Sequence, residues 1–142
     1  MTYTQTLMSD FAAAVNTQLP SDSPFIHHVL AEIEDPKDAK SYILCKVETL
    51  NEEVALNSSY SVRATVTALV DPVQLAQVSD PAAYMRSHFA AAMQAVARAC
   101  RSYEAADHAS YVVYSCRVDP SSVAVVDDGL TLSASLKLIV QF

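Results

Sequence analysis

The stretch from Asp80 to Ala106 limits what this chain can fold into more than any other. Pro81 opens it, and neither proline nor glycine recurs before Pro120. Asp80 offers a side-chain acceptor to the free N–H groups of a first helical turn, and Pro81 lacks only an N–H that such a turn does not use. Ala, Met, Gln and Arg, which dominate the stretch, are strong helix formers. Met85, Phe89, Met93, Val96, Cys100 and Tyr103 recur at steps of three or four, which predicts one apolar stripe. Arg86, Ser87, Gln94, Arg98, Arg101 and Ser102 fall on the other face. At 1.5 Å per residue such a helix runs roughly 35–40 Å, the span of a small domain. The rest of the chain must supply an apolar surface for it to lie on.

The flanking segments supply strands. Residues 4–19 predict a first helix, with Leu7, Met8, Phe11, Ala12, Val15 and Leu19 on one side and Pro20 ending it. Phe25 to Ile33 predicts a short strand, with a helix as the alternative, and 34–40 a charged loop. Tyr42 to Thr49 predicts a strand and 50–57 an exposed loop or short helical turn. Tyr60 to Val70 alternates cleanly: Val62, Ala64, Val66 and Ala68 on one face, Ser61, Arg63, Thr65 and Thr67 on the other. Tyr111 to Val118 predicts a strand, 119–122 a break, 123–126 an extended run, and Asp127-Asp128-Gly129 a turn. A final strand places Leu130, Leu132, Ala134, Leu136, Leu138, Val140 and Phe142 inward, and Thr131, Ser133, Ser135, Lys137 and Gln141 outward. The order α-β-β-β-α-β-β implies a two-layer α+β sandwich, a mostly antiparallel sheet with both helices on one face and water or a partner on the other.

The 142 residues suit a single domain spanning 1–142. An apolar share of 51% argues against disorder, and a net charge of −7 against general binding to nucleic acid or anionic membranes. One glycine in the whole chain excludes Gly-rich phosphate loops and dinucleotide fingerprints. Cys45, Cys100 and Cys116 are odd in number and far apart in sequence, which reads as buried free thiols in a reducing compartment. The first residues carry no signal-peptide pattern, and no apolar run nears the ~20 residues that span a bilayer. The expected setting is cytoplasmic, or a particle assembled there.

No stretch specifies a reaction, and no catalytic residue, metal site or cofactor is expected. His27 and His28, followed by Glu32 and Glu34, come nearest to a metal set. Adjacent histidines on a strand point to opposite faces, so the ordinary reading is one surface and one partly buried imidazole. Neighbouring carboxylates such as Glu52-Glu53 and Asp127-Asp128 read as solvated loop charge. The charges instead suggest contacts between molecules. Arg86, Arg98 and Arg101 line the polar face of the long helix, and acidic segments containing Glu32 and Glu34, or Glu52 and Glu53, could meet them on a neighbouring copy. The polar sheet face around Arg63, Thr65, Thr67, Ser133, Ser135 and Lys137 is equally available for docking. Head-to-tail contacts of this kind close into rings when the rotation allows.

An amphipathic first helix, a charged loop between strands, the strand Ser-Val-Arg-Ala-Thr-Val-Thr-Ala-Leu-Val-Asp, a long Ala-rich helix and the closing strand Leu-Thr-Leu-Ser-Ala-Ser-Leu-Lys-Leu-Ile-Val-Gln-Phe follow in order. Over roughly residues 4–142 this layout resembles the tail terminator (tail completion) proteins of tailed bacteriophages. The resemblance implies a non-enzymatic virion protein, a hexameric ring that caps the tail tube and joins it to the head–tail connector proteins. Its partners would be its own copies, the tail tube protein and the connector, with no membrane and no recognition of nucleic-acid sequence. The same layout also suits a small enzyme or ligand-binding domain with a pocket between helix and sheet. An adaptor that grips a basic partner through acidic loops is a third reading.

Overall fold

A computed structural model describes residues 3–25, 29–31, 41–53, 59–126 and 130–142. Helix α1 (Tyr3–Gln18) leads to strands β1 (Val29–Ala31), β2 (Tyr42–Glu53) and β3 (Ser59–Leu69). A short helix α2 (Pro72–Leu75) precedes the long helix α3 (Pro81–Ala105). Strand β4 (Val112–Val118), a 3-10 turn (Pro120–Ser122), β5 (Ala124–Val126) and β6 (Thr131–Gln141) follow. The sheet runs β1-β2-β3-β6-β4, and β5 pairs with β6 beside β4. Every pairing is antiparallel except β1 with β2. This is the expected α+β sandwich, with a sixth strand and one parallel pair added.

Helix α3 starts where Asp80 and Pro81 place it. The Asp80 carboxylate accepts a hydrogen bond from the Ala83 N–H at 3.2 Å, and Pro81 fills the first helical position. Phe89, Val96, Cys100 and Tyr103 are buried, Met85 and Met93 half-buried, and Arg86, Arg98 and Arg101 exposed. Ala92, Ala95 and Ala99 are buried as well, so much of the contact surface is methyl groups that let the helix sit close. Helix α1 lies beside α3 and buries Leu7, Met8, Phe11, Ala12, Val15 and the following Leu19, as its periodicity predicts.

The core between β3 and β6 is filled by complementary sizes. Ala64 faces Leu136, Val66 faces Ala134 and Ala68 faces Leu132, a small side chain beside a larger one each time. That alternation keeps the layer under the helices level and close-packed.

Three expectations need correction. Phe25 is not in a strand: its N–H bonds the Ser23 hydroxyl at 3.1 Å in a turn, and its buried ring stacks on Phe89 with centroids 6.5 Å apart. Only Val29–Ala31 of the expected segment is strand; residues 26–28 and 32–40 lie outside the described residues. The second strand continues through Glu53 instead of stopping at Thr49, because a bulge at Glu48 resets its pairing and β3 is long enough to match it to the end. Residues 72–75 are helical, with the Asp71 carboxylate accepting from the Val73 N–H at 3.0 Å. Thr131, expected outward, is buried. The turn expected at 127–129 lies outside the described residues.

Candidate functional site

The side of the sheet away from the helices carries one unusual arrangement. Arg63 on β3 pairs in register with Lys137 on β6, and Lys137 pairs with Arg117 on β4. Three cations therefore stand in one row across three adjacent strands. With strands about 4.8 Å apart, the row is roughly 10 Å long at the backbone. All three side chains are exposed. Like charges directly opposite one another weaken a strand pair. Lys46, exposed on β2 opposite Thr65, adds a fourth cation diagonal to the row.

The row is placed by strand alternation and by one irregularity. In β4, Val113 pairs with Val140 and Ser115 with Ile139, leaving Tyr114 as an extra residue in a bulge. Strict alternation from the buried Tyr111 and Val113 would turn Ser115 and Arg117 inward. The bulge reverses that phase, so Cys116 is buried against the core and Arg117 stands beside Lys137.

Beside the row is a hollow of about 310 Å³ lined by Arg63, Arg117, Val118, Asp119, Ser135, Leu136 and Lys137. Asp119 is the carboxylate at its rim, and it is occupied with its own turn. It accepts from the Ser121 N–H at 3.0 Å and from the Ser121 hydroxyl at 2.7 Å. Those bonds hold its carboxyl below the usual carboxylate range, with Arg63 adding a smaller pull. The turn is fastened to β6: the Asp119 N–H donates to the Ser135 carbonyl at 2.9 Å, and the Ser135 N–H to the Ser122 hydroxyl at 2.8 Å. Among the described residues none of the three row cations forms an ion pair with a carboxylate. The hollow thus carries excess positive charge on a chain whose net charge is −7.

A second polar cluster lies inside the fold. The Tyr111 hydroxyl donates to Asp10 on α1 at 2.7 Å, and the Tyr103 hydroxyl reaches the Leu7 carbonyl at 3.1 Å. His108 stacks on Tyr111 with centroids 4.6 Å apart and bonds the Tyr103 carbonyl at 2.9 Å. Burial raises the Tyr103 and Tyr111 hydroxyls above the ordinary tyrosine range; their mutual bond raises Tyr103 further and lowers Tyr111, whose bond to Asp10 raises it. Neutral phenols tying two helices to a strand make a structural clamp. Behind it the neighbouring Cys100 and Cys116 thiols interact, which pushes Cys116 up and Cys100 down, and burial adds to the rise of Cys116.

Of the residues expected to form an interface, Arg63 and Lys137 are brought together across β3 and β6. Arg86, Arg98 and Arg101 lie on the exposed face of α3, on the opposite side of the molecule from Arg63 and Lys137. Glu52 and Glu53 end β2, opposite Tyr60 and Ser59. Glu32 and Glu34, with His27 and His28, lie outside the described residues. Arg117 completes the row and was not among the expected residues. Its signal was present, since apolar Tyr111 and Val113 are out of phase with Cys116 and Val118 and imply an extra residue between them.

The space between α3 and the sheet, walled by Ile43, Val66, Ala68, Ala92, Met93, Val96 and Leu132, is filled by these side chains and admits no water-sized molecule. Among the described residues no three His, Cys, Asp or Glu side chains gather into a metal-ligating set. Nor is any of their helices long and apolar enough to cross a membrane. Compared with known proteins, the chain matches no family model and no curated sequence.

Proposed function

We propose that this chain is a structural virion protein, a tail terminator or neck component. Its copies assemble head to tail into a ring, a hexamer in the tail terminators it resembles, that caps the tail tube and joins it to the head connector. The observation that carries the reading is where exposed apolar side chains lie. Val112, Tyr114, Val123, Val125 and Val126 all belong to β4, β5 and the corner between them, on one margin of the sheet. The other large exposed apolar residue among those described is Val73, on α2. An apolar strand margin left in water invites pairing with another chain, and soluble monomers blunt such margins with charge or proline. A second copy of this chain is the occupant that would cover it, and a contact between unlike surfaces closes into a ring when its rotation permits. The tight packing between α3 and the sheet favours this reading over the ligand-pocket alternative.

Native mass spectrometry with electron microscopy of the purified protein tests the proposal. The expected species is a closed ring at an integral multiple of the chain mass, six for a hexamer. Val112→Lys with Val125→Lys is expected to release monomers that keep their circular dichroism spectrum. A wild-type protein that stays monomeric at all concentrations rejects the reading.

A further inference from the structure

Building on the assembly reading, we propose that the Arg63–Lys137–Arg117 row is a carboxylate-docking site that receives acidic side chains of a second copy of this chain. Cross-strand neighbours on a water-facing sheet are free to be of opposite charge, and such pairs stabilise the sheet. Here three cations share one register line instead, and like charges directly opposite one another disfavour a pairing. The chain's own carboxylates offset that charge only weakly, through the pull between Asp119 and Arg63. Asp119, at the rim, is committed to Ser121, and among the described residues no other acid forms an ion pair with the row. An arrangement that costs the isolated subunit stability is retained where a partner uses it.

Charge supplies the identity of that partner. The chain has 16 acidic and 9 basic side chains. Lys46, Arg63, Arg117 and Lys137, four of the basic ones, belong to this sheet face. The rest of the chain therefore carries 16 acidic against five basic side chains (9 − 4), so a second copy is rich in carboxylates to offer this face. Arginine suits the task, because its planar fork pairs a carboxylate through two parallel N–H groups. The hollow of about 310 Å³ gives an incoming side chain a recess partly shielded from solvent, where such pairs are worth more than on an open surface. The site also adjoins the apolar margin: Arg117 is on β4, and Asp119 begins the corner that leads to Val123 and β5. One approaching subunit would cover the apolar edge and fill the cationic recess together.

The test compares two variants that change net charge equally. One is Arg63→Glu/Lys137→Glu/Arg117→Glu; the other is Arg86→Glu/Arg98→Glu/Arg101→Glu, on the far side of the molecule. Sedimentation velocity and native mass spectrometry read assembly, and circular dichroism melting reads folding. The sheet-face variant is expected to self-associate roughly tenfold or more weakly than wild type, while the helix-face variant assembles normally. Wild-type assembly is expected to loosen as salt rises from about 0.05 to about 0.5 M. A second sheet-face variant, Arg63→Gln/Lys137→Gln/Arg117→Gln, guards against misfolding. As a monomer it is expected to melt above wild-type monomer, because the repulsion is gone, yet to assemble as poorly as the glutamate variant. Assembled wild type with equally assembled sheet-face variants overturns the docking site and leaves the assembly reading standing. Equal weakening by both triple glutamate variants also overturns it, since net charge alone would then explain the loss. A wild type that never associates overturns both. Saturable uptake of inorganic phosphate at the row with no effect of the variants on assembly would reassign the site to a free oxyanion and overturn the carboxylate-docking proposal.

Discussion

The phenol oxygens of Tyr103 on α3 and Tyr111 at the entry to β4 lie 2.5 Å apart; Tyr111 donates to Asp10 of α1, and the single Tyr103 proton is within reach of both the Tyr111 oxygen and the Leu7 carbonyl of α1. Helix α1 is fastened there to the junction of α3 and β4, about a hundred residues further along the chain. Tyr103 is 2% exposed, so a lost bond there is not replaced by water.

Removing one hydroxyl should therefore cost more than removing the second. Tyr103→Phe and Tyr111→Phe are each expected to lower unfolding free energy by about 1–2 kcal/mol. The double variant should lose less than the sum, because the hydroxyls share a bond. Urea unfolding of the three variants measures the coupling; strict additivity would mean the two groups act separately.

The same burial fixes how stability responds to alkali. Burial pushes the Cys45 thiol up to about 12. Tyr103 and Tyr111 are raised as well, chiefly by burial, while the Cys100–Cys116 pair does not count toward the rise, because its contact raises Cys116 and lowers Cys100. Each raised group keeps its proton in the folded chain at a pH where the unfolded chain has released it. The folded state then binds more protons, and stability falls as pH rises. The loss should begin near pH 9, where unfolded thiols ionise, and steepen above about pH 10 as unfolded tyrosines join. Melting temperatures taken from neutral pH to about pH 11 should show that decline, and a flat profile would contradict it.

Cys45, Cys100 and Cys116 are 0%, 3% and 2% exposed, and a thiol must ionise to attack. An aromatic disulfide reagent at neutral pH is expected to label none of them in the native protein and all three in denaturant. Native labelling should follow the opening rate of the fold and not the reagent concentration. Rapid labelling of any one would show that its segment opens readily.

The alanines under α3 give a packing test. Ala95 and Ala99 are 1% and 0% exposed, whereas Ala97 faces solvent. Ala99→Leu has no space to enter and is expected to destabilise by about 1–3 kcal/mol. Ala97→Leu should stay within about 0.5 kcal/mol of wild type. Chemical denaturation of the pair separates close packing from helix propensity, since both changes fall mid-helix.

Much of this architecture is legible in the sequence because local preference and pattern agree. The Asp80-Pro81 start, the stripe through Phe89, Val96 and Tyr103, and the alternation of β3 and β6 each state their structure twice. What is not legible depends on register. The row of Arg63, Lys137 and Arg117 exists only once β3, β6 and β4 are aligned, and alignment is a property of three segments together. The extension of β2 to Glu53 is hidden similarly, since 50–53 read as a loop until β3 lies beside them. Phe25 misleads for another reason: a turn stabilised by Ser23 carries an aromatic ring into the core as readily as a strand would.

The bulges at Glu48 and Tyr114 have a consequence for how this chain can vary. A residue gained or lost within a strand ordinarily turns everything beyond it inside out. At these two points an additional residue is already absorbed, and in β4 the inward and outward positions after it are intact. Deleting Tyr114 alone should leave Cys116 facing the core and Arg117 facing water. Length drift in this sheet is thus tolerated at two defined joints, and related chains should differ in strand length there before they differ elsewhere.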